Sequence, residues 1–109
     1  MSKINFKVNI EPDRVIEEVK RHQNAELVHE ELHDLGDGKQ MGTLVFEKYF
    51  FRTKNRAALV VIVDNIHRAT DVRVVATGSS QGLIFNFDWG AGDSFAGSVE
   101  DILREYLIE

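Results

Sequence analysis

The chain has 109 residues, a formal net charge of −5, 43% hydrophobic and 28% charged residues, and no cysteine. At ~150 residues per domain this predicts a single domain over residues 1–109, and the composition excludes disorder, collagen and coiled coil as whole-chain descriptions. Without cysteine there is no disulfide scaffold, thiolate nucleophile or Cys-ligated metal centre, and no apolar run nears the ~20 residues of a membrane span.

The first residues, Met1-Ser2-Lys3-Ile4-Asn5, lack an apolar signal core, so a cytoplasmic location is the expectation. Ile4–Ile10 alternates strictly, which predicts a half-buried strand with Ile4, Phe6, Val8 and Ile10 inward. Glu11-Pro12-Asp13 opens a helix, since proline suits the first helical position and acids suit the first turn. Val15, Ile16 and Val19 share one face of it, and it fades near His22-Gln23-Asn24.

Strand patterns separated by turn signals follow: Ala25–Leu35, Thr43–Arg52, Ala57–Val63, Val72–Thr77 and Leu83–Trp89. Gly36-Asp37-Gly38 reads as a hairpin turn, Lys54-Asn55 as a tight turn that asparagine makes tolerable, Asn65–Thr70 as a looser turn, and Gly78–Gly82 as a Gly/Ser turn. Ala57–Val63 is apolar on both faces, which places it centrally in the sheet. On Ala25–Leu35, Val28 and Leu32 are the core candidates. Gly90-Ala91-Gly92 ends the pattern, and Asp93 or Ser94, or alternatively Ser98 with Asp101, caps a final helix buried through Phe95, Val99, Ile102, Leu103, Tyr106 and Leu107. The predicted class is α+β: an antiparallel meander of five to six strands, with an N-terminal β-α unit and a C-terminal helix packed on one face (β-α-β-β-β-β-β-α).

The opening strand, Pro-initiated helix and closing helix resemble helix-grip domains (the START and Bet v 1-like group) in element order, without a diagnostic motif. That likeness implies an apolar ligand cavity between sheet and last helix. Phe46–Arg52, Gly78–Gly82 and Phe87–Ala91 resemble a family of small bacterial proteins of unknown function, which implies no activity.

Three constellations carry chemistry. His29, Glu31 and His33 alternate on one strand face and are suitable zinc or non-haem iron ligands; the same pattern is that of a solvated strand face, the preferred reading, so no metal or other cofactor is expected. Arg52, Lys54 and Arg56 should share one end of the sheet with Ser79 and Ser80, where an anion would find cations and loop N–H groups; two ordinary solvated turns are the preferred alternative. Lys48–Arg56 interleaves basic and aromatic residues, as nucleic-acid surfaces do, but one aromatic set must fill the core and the net charge disfavours that partner.

The spacing of Asp64, Asp88 and the four histidines argues for no Ser/His/acid triad, and a Gly-x-Ser-x-Gly nucleophile elbow is absent. Two functional classes follow. The first is a non-catalytic module that binds a protein or small ligand and forms a homodimer, because two short helices cannot cover both apolar faces of the sheet. The second is a helix-grip carrier or enzyme, with Glu47, Tyr49 and Asn86 as polar groups in an apolar cavity. Trp89 is either a packing anchor or a ligand platform.

Overall fold

The computed structural model describes residues 2–51, 54–78 and 89–108, with the side chains of all of these except 89–94. Five strands form one antiparallel sheet: β1 (Ser2–Val8), β2 (Glu26–Gly36), β3 (Lys39–Phe50), β4 (Asn55–Asp64) and β5 (Thr70–Gly78). Two α-helices join them, α1 (Pro12–His22) and α2 (Trp89–Ile102), and a 3₁₀ turn (Arg104–Tyr106) follows. The class is α+β, as the alternating patterns predict.

The order across the sheet is β1-β5-β4-β3-β2. The meander is local, β2 to β5 in sequence, but β1 pairs with β5, from Ser2 opposite Ala76 to Val8 opposite Thr70. β1 and β2 therefore sit on opposite edges, and α1 must cross the sheet between them. Four strand spacings of ~4.8 Å amount to ~19 Å, and eleven helical residues supply ~16 Å of that.

Strand parity sets the two faces. On β4, Ala57, Leu59, Val61 and Val63 are fully buried, while Ala58, Val60 and Ile62 between them are half-buried. The buried set packs with Leu44 and Phe46 of β3, Val72, Val74 and Ala76 of β5, Val15, Ile16 and Val19 of α1, and Phe95, Ala96, Val99 and Leu103 of α2. Both helices therefore cover the same face. Gln23 ties them together by donating to Ser98 Oγ at 2.9 Å. The last turn is fastened to β1 by the Val8–Leu107 bridge and by Ile108 N donating to Lys7 O at 3.0 Å.

Several expectations need correction. β3 begins at Lys39, four residues before the predicted start, because Gly42 is an in-strand glycine rather than a break. A Cβ at Gly42 would lie 3.1 Å from both Ile16 Cδ1 and Glu31 O, so its bareness lets α1 approach the sheet. Val28 and Leu32 are not core residues; they are 55% and 45% exposed. Val28 is the extra residue of a β-bulge between the Leu27–Phe46 and His29–Val45 pairs, which reverses the parity of the rest of β2. Leu32 follows the bulge on the helix side, beyond the ground that α1 covers.

The positive φ of the β3–β4 turn falls on Lys54 (56°), and Asn55 already pairs with Phe50. α2 starts at Trp89, so Trp89 opens a helix rather than closing a strand, and Asp93, Ser94 and Ser98 lie within the helix instead of capping it. Residues 83–88 of the predicted sixth strand lie outside the described residues. No helix among the described residues is long and apolar enough to cross a membrane.

Candidate functional site

Because both helices lie on one face, the opposite face of the sheet carries no described element. Its residues follow from the ladder registers. One row runs Lys3, Val75, Val60, Val45, His29; the next Asn5, Arg73, Ile62, Thr43, Glu31; the third Lys7, Asp71, Asp64, Met41, His33. Towards the β3–β4 turn come Thr77, Ala58, Glu47 and Glu26, then Arg56 and Tyr49. Val45, Ala58, Val60, Ile62 and Val75 make a half-buried apolar strip across the middle strands. The strip divides two kinds of edge. The β1–β5 side carries Lys3, Lys7 and Arg73 against Asp71; the β2–β3 side carries Glu26, Glu31 and Glu47 with two histidines, and its one cation among the described residues, Lys39, stands at the β2–β3 turn and donates to Asn65 O at 3.5 Å.

At the end of this face, next to the β4–β5 loop, is a groove of about 350 Å³ lined by Asn5, Met41, Asp64, Ile66, His67, Asp71 and Arg73. Asp64 and Asp71 are directly opposed across the β4–β5 ladder, an unfavourable placement for like charges. Each is matched by a cation. Arg73 donates to Asp64 Oδ2 at 2.9 Å, and Lys7 Nζ donates to Asp71 Oδ1 at 2.5 Å. Asp64 Oδ1 also accepts from Ile66 N at 3.1 Å, which fixes the start of the loop. The two carboxylates and the two cations are thus paired one to one, with His67 on the same groove wall.

The same loop is anchored by Asn65, which is buried. Its Oδ1 accepts from Gln40 N at 2.7 Å, and its Nδ2 donates to Gly38 O at 3.0 Å. Gln40 in turn accepts from Asp13 N at the start of α1 at 3.2 Å. Two loops and a helix terminus are thereby tied together. Asp64, Asn65, Asp71 and Arg73 were not singled out as a cluster from the sequence. The only local signal was an Asp-Asn pair closing an apolar strand.

His29, Glu31 and His33 do lie together, on the exposed edge of this face. Glu31 stands between the imidazoles: His29 Nε2 is 2.6 Å from Oε2, and His33 Nε2 is 2.8 Å from Oε1. The hydrogen bond with His33, then that with His29, holds the Glu31 carboxyl below the ordinary glutamate value of 4.5. The carboxylate thus serves as acceptor for its neighbours, and no set of three ligands with metal-holding geometry occurs among the described residues.

Glu47 and Tyr49 are on the open face by strand parity, so they do not line a space between sheet and α2. Glu47 accepts from Arg56 at 2.9 Å, which commits that cation of the expected anion group. Tyr49 meets the exposed Phe51 edge to face at 5.2 Å, while Phe50 turns inward onto Phe95 at 5.6 Å. Lys54 sits in the β3–β4 turn, and Gly78 ends β5 opposite Ala57, at that same end of the sheet. Arg52, Ser79, Ser80 and Asn86, and the side chain of Trp89, lie outside the described residues.

A family model described as a family of unknown function (DUF6054) matches residues 1–107, and the chain belongs to that family. The resemblance to a family without assigned activity is thereby borne out. No curated protein and no solved structure matches the chain.

Proposed function

For this member of a family of unknown function, we propose a non-catalytic protein-binding module whose working surface is the open face of the sheet. The observation that carries this reading is the distribution of side chains on that face. An apolar strip of Val45, Ala58, Val60, Ile62 and Val75 runs between a basic and an acidic margin. Apolar centres rimmed by charge are the anatomy of a protein-binding surface. The carboxylates of the groove and the Glu47–Arg56 pair are each matched by a cation, which suits recognition.

The test is a photoreactive residue placed at Val60, with the same residue at Glu17 on the exposed side of α1 as the control. Cells expressing each variant are irradiated, and adducts are identified by mass spectrometry. Adducts from position 60 that are absent from position 17 support the reading. An equal yield of adducts, or none at either position, overturns it.

A further inference from the structure

We infer that the occupant of the open face is a second copy of this chain, stacked face to face about a two-fold axis running along β4. The inference rests on the binding reading above and names its partner. β4 is the middle strand, with β5 and β1 on one side and β3 and β2 on the other. An axis along β4 therefore lays β4 on β4, β5 on β3 and β1 on β2 of the other copy.

The side chains suit that superposition. Val60 and Ile62 meet their own counterparts, and Val75 meets Val45. The basic margin of one copy, Lys3 and Lys7, covers the acidic margin of the other, where Glu31 is flanked by His29 and His33. Asn5 lies opposite Glu31 in the same row. The stagger between sheets stacked at about 30° moves the edges by ~5 Å along the strands, most of the ~6.6 Å between rows, which brings one of the two lysines within side-chain reach of Glu31. Lys3 has no ion-pair partner among the described residues, and Glu26 has none either.

The rival stacking has its axis across the strands. It lays β1 on β1 and β2 on β2, which sets Lys3 against Lys7 and Glu31 near Glu31. Like-charge juxtaposition of this kind costs several kcal/mol; the axis along β4 also lays Asp64 on Asp64 and Arg56 on Arg56, but those charges are already paired within each copy with Arg73 and Glu47, so the charges of the two margins select the axis. The area is sufficient. Five strands at ~4.8 Å and four row spacings at ~6.6 Å give ~600 Å² per copy and ~1,200 Å² in all, the lower edge of the standard range for stable interfaces.

The experiment is sedimentation equilibrium of the full chain at low salt, with charge variants of exposed residues whose folding is checked by circular dichroism. The wild type is expected to sediment at twice 12.4 kDa. Glu31→Lys alone, and Lys3→Glu with Lys7→Glu alone, should each weaken association by about tenfold or more. Mixing the two variants should restore it, because in the mixed dimer both β1–β2 contacts regain opposite charges. Lys3→Glu with Lys7→Glu associating as tightly as wild type, or mixing that restores nothing, overturns the axis along β4. A wild type that stays monomeric at about 500 µM overturns self-pairing altogether. If the photoreactive residue at position 60 still captures an identified protein of a different sequence, the binding reading survives without this inference.

Discussion

Asn65→Ala removes the side chain that ties the β4–β5 loop to the β2–β3 turn. Two hydrogen bonds disappear, from Gln40 N at 2.7 Å and to Gly38 O at 3.0 Å. Each is worth ~1 kcal/mol net, and leaving the part-buried Gln40 N–H without its partner adds about another 1 kcal/mol. The expected loss is ~2–3 kcal/mol, against the ~5–15 kcal/mol that holds a typical domain. The melting temperature should fall by ~10–15 °C, at about 5 °C per kcal/mol for a chain of this size. Urea unfolding followed by far-UV circular dichroism measures it, and the slope with denaturant should stay at its wild-type value while the midpoint drops. His67→Ala is the control: it lies in the same loop with an exposed side chain and should shift stability by less than about 0.5 kcal/mol. If Asn65→Ala costs no more than that control, Asn65 is not an anchor and the account of this end of the sheet fails.

Three further outcomes are expected. Gly42→Val should cost ~1–3 kcal/mol, because the first added carbon already meets Ile16 Cδ1 and the Glu31 carbonyl at 3.1 Å and the carbonyl is backbone; a thermal melt unchanged from wild type would show that α1 does not rest on β3 there. Ser98→Ala should cost ~1 kcal/mol by removing the acceptor for Gln23 between the helices, read as a shifted urea midpoint. The Glu31 carboxyl should titrate below 4.5 by carbon-detected NMR. Since its pKa is depressed in the folded state, its contribution to stability is present above the unfolded value and lost as pH falls through the folded value. Glu31→Gln should flatten that part of the acid limb, and a Glu31 midpoint at or above 4.5 would contradict the hydrogen bonds from both histidines.

Local periodicity decided much of this protein. Val15, Ile16 and Val19 after Pro12 dictate α1 and its buried face, and the apolar run from Ala57 to Val63 dictates a central strand, because side-chain direction repeats every 3.6 or every 2 residues wherever the backbone is regular. The Gly36-Asp37-Gly38 turn was equally legible, its three positive φ values suiting residues that tolerate them. The bulge at Val28 was not legible. An inserted residue reverses the faces of everything after it, and on an edge strand such as β2 neither face is buried deeply enough for composition to reveal the change. Only the tertiary structure joined β1 to β5, across the 64 residues that separate Lys7 from Asp71. That pairing sends α1 over the same face as α2, leaves the other face without a described element, and sorts most of its charges onto opposite margins. Contacts so distant in sequence leave no local pattern; they are set by which edge of a sheet remains free to pair when the chain closes on itself.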